Sequence, residues 1–159
     1  MNKQNFYDLN FDQLKNFLIE KADVDEGKAK MRSQQMFNAV YKKNIKDFDA
    51  LTTFGLELRE KIKNLMSLTK PKIIDIQKSK DGTIKFLLEL KDKRNVETVL
   101  IPDKTQSRYT ICLSVSVGCY LSCEFCATAQ ISKKLVRNLS PGEIISQIIL
   151  CKDYIDDWS

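Results

Sequence analysis

A chain of 159 residues with 43% hydrophobic side chains is long enough for one medium domain or two small ones. No run of 18 apolar residues occurs, and Met1-Asn2-Lys3-Gln4-Asn5-Phe6 lacks the apolar stretch of a signal peptide. The expectation is a soluble cytoplasmic protein with no membrane partner, whose five cysteines are thiols or ligands, not staples. The net charge of +5 fits a polyanionic partner without requiring one, and the absence of histidine leaves proton transfer to carboxylates, lysines or thiols.

Residues 1–70 read as a small helical domain. Asn10 stands before a segment in which Phe11, Leu14, Phe17 and Leu18 share one helical face, so a capped first helix is predicted. Asp23 to Gly27 is a turn, and a second amphipathic helix places Met31, Met36, Phe37, Val40 and Tyr41 on its apolar side. Leu51, Leu58, Ile62 and Leu65 continue the pattern until Lys70-Pro71 ends it. Lys28, Lys30, Arg32, Lys42, Lys43 and Lys46 form either a basic patch or an ordinary solvated helix face; composition alone favours the second.

Residues 71–107 read as a β extension. Ile73, Ile74 and Ile76 precede an Asp81-Gly82 turn and an alternating segment from Thr83 to Leu90, which predicts a hairpin; Val96 to Ile101 is a third strand. By pattern Glu97 is a solvent-facing strand carboxylate.

Residues 108–159 read as one β-loop-α unit. From Tyr109 to Val117 the chain alternates, with Ile111, Leu113, Val115 and Val117 on one face and Thr110, Cys112, Ser114 and Ser116 on the other. One buried strand with a polar side lining a cavity is therefore expected. Cys112 is either part of that lining or a small apolar filler. Ser140-Pro141-Gly142-Glu143 is a capping box opening a helix to about Tyr154, with Ile144, Ile145, Ile148 and Ile149 as its buried face and Cys151 in the core.

Between that strand and helix, Cys119, Cys123 and Cys126 form Cys-x3-Cys-x2-Cys directly after Gly118. Electron-transfer 4Fe-4S clusters use four cysteines; three leave one iron open, the arrangement that S-adenosylmethionine (SAM) chemistry requires. A zinc site would need a fourth cysteine or a histidine at finger-like spacing, and Cys151 lies 25 residues on from Cys126.

With Phe125 in the aromatic position, the loop resembles the Cys-x3-Cys-x-aromatic-Cys hallmark of the radical SAM superfamily. More of the chain resembles the adenine-C2 RNA methyltransferases of the RlmN type. The likeness is carried by Met31-Arg32-Ser33-Gln34-Gln35 with Val40-Tyr41, Leu58-Arg59, Asp81-Gly82-Thr83-Ile84-Lys85-Phe86, Val96 to Pro102, Cys112 to Cys119, Arg137-Asn138-Leu139 and Glu143-Ile144. The segment after Cys126 is about two residues longer than usual for the family and lacks a common glycine; Ala39 replaces a usual tryptophan.

The resemblance implies an α+β chain with three parts. Residues 1–70 would be a helical accessory RNA-binding domain, 71–107 a β extension, and 108–159 the first βα unit of a partial (βα)6 radical SAM barrel that is truncated here. It implies that Cys119, Cys123 and Cys126 ligate a 4Fe-4S cluster whose open iron takes SAM beside Phe125, that Glu97 accepts a proton, and that Cys112 closes a disulfide with a methyl-carrying cysteine beyond this chain. The implied reaction is methylation of adenosine C2 in 23S ribosomal RNA and transfer RNA, by a monomer served by an electron donor such as flavodoxin. One βα unit cannot enclose SAM, so the 159 residues alone are expected to be inactive. An RNA-binding module without catalysis is the alternative, and a small iron-sulfur carrier a third, opposed by the missing fourth cysteine.

Overall fold

The computed structural model describes residues 3–103, 105, 108–121, 123–126, 128 and 136–156. They form two units, one of the residues up to Thr69 together with those from Lys152 on, the other running from Lys70 to Cys151.

In the first unit β1 (Gln4–Asn5) leads through a 3-10 turn (Phe6–Asp8) to α1 (Phe11–Ala22), α2 (Glu26–Tyr41), a second 3-10 turn (Phe48–Ala50), α3 (Leu56–Leu65) and β2 (Met66–Ser67). The α1 start is a reciprocal box: Gln13 N donates to Asn10 Oδ1 and Asn10 N to Gln13 Oε1, both at 2.9 Å. Asp23 in the left-handed region ends the helix. Helix α2 buries Ala29, Ser33, Met36 and Val40, spaced four, three and four apart. Met31, expected on that side, is 49% exposed, because the stripe runs through small Ala29 and Ser33 instead.

Phe6 is fully buried at the centre, its ring 5.4 Å from Phe37, 5.7 Å from Tyr41 and 6.5 Å from Phe48. Burial pushes the phenols of Tyr7 and Tyr41 up to about 12. β1 runs parallel to β2, with Gln4 opposite Met66 and Asn5 opposite Ser67. Arg32 donates to Thr53 O at 2.9 Å and lies 4.9 Å from the Phe54 ring centroid; Lys46 pairs with Asp153 at 2.6 Å. Lys28 and Lys42 stand about 20 Å apart along α2 at 1.5 Å of rise per residue.

The second unit is built on an antiparallel sheet in the order β3 (Lys72–Lys78), β4 (Ile84–Glu89), β5 (Asn95–Asp103), β6 (Arg108–Cys112). The β3–β4 turn closes as its Asp-Gly pair predicts: Gly82 has φ +96°, and Asp81 Oδ1 accepts from Thr83 N at 2.9 Å. Phe86, Leu88, Val96, Thr98 and Leu100 bury one face; Lys85, Leu87, Glu97 and Val99 alternate with them on the other.

The strand expected over 109–117 is two strands in two sheets. β6 stops at Cys112, and after Leu113 to Val115 the short β7 (Ser116–Val117) pairs instead with β8 (Arg137–Asn138). The break follows from hydrogen bonding: Ser114 gives its hydroxyl to Glu97 O at 2.7 Å and its N–H to Gln147 Oε1 at 3.0 Å, leaving no ladder there and Val115 62% exposed. Helix α4 (Pro141–Ile155) likewise turns a different face inward. Gly142, Ser146, Gln147, Ile149 and Cys151 are buried, whereas Ile148 is 36% exposed and Ile144 and Ile145 are half-buried. Among the described residues no helix is long and apolar enough to cross a membrane.

Candidate cysteine-loop site

The loop carrying the cysteines springs from the β7–β8 pair. Val117 is buried opposite Arg137, and Gly118, at φ +68°, turns the chain out of the strand in a conformation that favours glycine. Cys119, Cys123 and Cys126 follow, all half-exposed, with Cys126 N donating to Cys123 O at 3.1 Å in a tight turn. Phe125 is 93% exposed, Tyr120 67% and Leu121 69%.

Three thiols at this spacing are soft donors suited to iron and sulfide. Among the described residues no three His, Cys, Asp or Glu side chains already converge on a metal position. The donor chemistry of the three thiols fits an iron-sulfur cluster. No disulfide joins any of the five cysteines, all of which are described. Cys151 is fully buried and its thiol is pushed up to about 11 by burial, which makes it core and not a ligand.

Arg137 anchors the returning end of the loop. Its terminal nitrogens donate to the two Glu143 oxygens at 2.8 Å each, and Nε donates to Asp92 Oδ2 at 2.8 Å. Glu143 Oε2 also accepts from Ser140 N at 2.8 Å, completing the capping box predicted for α4. The guanidinium holds both carboxyls below their usual range, against the opposing effect of burial. Both carboxylates therefore stabilise the fold above their unfolded pKa of about 4, and that contribution is lost as pH falls through the lower folded values. Partial exposure of all three side chains keeps it modest. Arg137→Met should lower the melting temperature at pH 7, with the gap to the parent shrinking below about pH 4; a gap independent of pH would contradict the clamp.

Gln147 fixes the neighbouring strand. Its Oε1 accepts from Thr98 Oγ1 at 2.7 Å and from Ser114 N at 3.0 Å; its Nε2 donates to Ser114 O at 2.9 Å and to Glu143 O at 3.1 Å. β5 is thereby tied to the segment that leads into the cysteine loop. On the open face of β5, Val99 faces Cys112, and Glu97 is two residues from Val99, so register brings Glu97 and Cys112 onto one exposed surface. Lys85, on the same face, pairs with Glu97 at 3.1 Å. Arg137, Gln147 and Lys85 were not singled out for these roles from sequence. A glutamine within an isoleucine-rich helical stripe was the available signal for Gln147; the other two pairings come from chain segments brought together only by the fold.

This arrangement defines a class. The structure is similar to the crystal structure of a radical SAM methyltransferase from Sphaerobacter thermophilus, with a TM-score of 0.78 and 32% identity, over 96% of this chain and 42% of that one. Residues 4–68 match the family model of the ribosomal RNA large subunit methyltransferase N-terminal domain. The chain is 40% identical over 141 residues to the dual-specificity RNA methyltransferase RlmN of Novosphingobium aromaticivorans, covering 89% of this chain and 32% of that protein. It is 39% identical over 149 residues to the same enzyme of Oleidesulfovibrio alaskensis, covering 94% and 40%. The chain therefore carries the N-terminal domain of the RlmN family and is homologous to its members along the 32% to 40% of their length that it spans.

Proposed function

We propose that this chain is the N-terminal part of an RlmN-type radical SAM methyltransferase acting on C2 of adenosine in 23S ribosomal RNA and in transfer RNA, by way of a methyl-cysteine. The observation that carries the reading is the loop of Cys119, Cys123 and Cys126 rooted in the β7–β8 pair, within a chain homologous to RNA methyltransferases along nearly all of its length.

In this reading β7, the loop and α4 are the first βα unit of a partial (βα)6 barrel, and the three thiolates hold a 4Fe-4S cluster with one iron left for SAM. The bound cluster and SAM together supply the radical chemistry that a carbon as weakly nucleophilic as adenine C2 requires. Phe125 lies among the ligands and packs beside the cofactor. Glu97, oriented by Lys85, takes the proton from C2 once the new bond has formed. Cys112, on the same sheet face, then closes a disulfide with the methyl-carrying cysteine and frees the product. The enzyme works in the cytoplasm as a monomer with an electron donor such as flavodoxin, and the helical unit contacts RNA. These residues alone are not expected to turn over.

In a full-length RlmN-type enzyme, changing the residues matching Glu97 to Gln and Cys112 to Ala should leave iron content unchanged and block release of methylated RNA. Normal multiple turnover in either variant would refute the role given to that residue. The match of residues 4–68 to an RNA methyltransferase N-terminal domain supports one second reading, an RNA-binding module without catalysis. It requires salt-sensitive RNA binding and no iron uptake by the parent chain.

A further inference from the structure

The helical unit carries an open cavity of about 170 Å³ between the C-terminal half of α2 and the segment around the Phe48–Ala50 turn. An apolar cavity of about 150 Å³ takes a benzene-sized ring, so the volume suits one flat ring system. Buried Ala39 and Leu51 give it an apolar floor; Gln35, Asn38, Thr53 and Lys43 supply its polar rim. Gln35 Oε1 accepts from Arg32 at 3.0 Å and Asn38 Oδ1 from Gln34 at 3.1 Å, so each amide oxygen is already engaged once, while neither NH2 group has a partner among the described residues. The Lys43 ammonium has no ion-pair partner among the described residues. The rim is thus rich in donors, and its natural occupant is flat, carries acceptor atoms along its edge and is joined to a negative charge.

We propose that this cavity seats one unstacked base of a single-stranded RNA segment, its carbonyl edge on the amides of Gln35 and Asn38 and its flanking phosphate on Lys43. The inference rests on the RNA-directed reading above and adds a seat particular to this chain, opened by Ala39 where the family usually carries tryptophan. An acidic peptide would satisfy Lys43 but leave the ring-sized floor unfilled, and a base within a duplex would first have to be unpaired and unstacked, which a base in a single strand need not be.

The test uses the whole 159-residue chain at low salt, with fluorescently labelled pentauridylate, the same backbone without bases, and uridine monophosphate as competitor. Pentauridylate should bind about tenfold more tightly than the abasic strand, as expected for one seated base. Ala39→Trp, which fills the cavity, should remove that difference. Lys43→Gln should weaken both strands and lower the salt dependence by about one ion. Equal, salt-sensitive binding of both strands would overturn the cavity's role and leave RNA contact standing. Competition by the free nucleotide as effective as that by the strand would replace a strand site by a nucleotide site. Binding of neither strand would overturn the cavity's role and remove RNA contact by the helical unit as well. The comparison of strands on the parent chain decides the matter even if Ala39→Trp unfolds.

Discussion

Substituting Ser for Cys119, Cys123 or Cys126 should reduce the iron held after anaerobic reconstitution from about four atoms per chain to near zero. The reason is electronic: a hydroxyl is a hard, poor ligand for an iron-sulfide cube, and with three protein donors there is no spare thiolate to take over. The three side chains are half-exposed in a loop outside the core, so each variant should keep the parent's circular dichroism and melting temperature. Cys112→Ser and Cys151→Ser should hold iron as the parent does, since one faces outward on the sheet and the other is packed in the core. Equal iron in parent and loop variants would remove the loop from cluster binding. Loss in Cys151→Ser with an intact fold would give the carrier reading its fourth ligand.

The second large effect is on stability. Gln147→Leu should cost about 2–4 kcal/mol, because it leaves Ser114 N, Ser114 O and buried Thr98 Oγ1 without partners. By denaturant titration the loss should appear without a change in the slope of the transition. Ile148→Ala, on the same helix but 36% exposed, should cost about 1 kcal/mol or less. A smaller loss at Gln147 than at Ile148 would mean that the apolar stripe, and not the amide, anchors α4.

That contrast also marks how far the sequence carried. Local chemistry was legible: Asn10 caps α1, Asp81-Gly82 closes the hairpin, and Ser140 and Glu143 open α4. The α+β class that the resemblance implied agrees with segments of helical period flanking an alternating middle. Periodicity failed where a polar side chain had a long-range partner. The alternation over 109–117 continues through Ser114, yet that residue's bonds to Glu97 O and Gln147 end the ladder. The isoleucines of α4 pointed to one face, and small Gly142 and Ser146 with Gln147 took the other. The β1–β2 pair could not have been read, since two-residue strands have no period and its partners lie 62 residues apart.

At the site, the Cys-x3-Cys-x2-Cys spacing singled out the three cysteines of the proposed cluster loop, and nothing in the spacing fixed how their sulfurs lie. That Glu97 and Cys112 share one surface depends on the β5–β6 register, which a chain with an unknown turn between the strands does not reveal. The Arg137 clamp joins Asp92 and Glu143 from segments 45 and six residues away, and only the six-residue partner lay within local view.

The most direct test of the central claim is to digest ribosomal and transfer RNA from the source organism and quantify 2-methyladenosine by mass spectrometry, with and without the gene that encodes this chain. Loss of the nucleoside on deletion, with recovery when the intact gene is returned but not when its three loop cysteines are serines, is the predicted result. An unchanged level of 2-methyladenosine after deletion would contradict adenosine C2 methylation as the function.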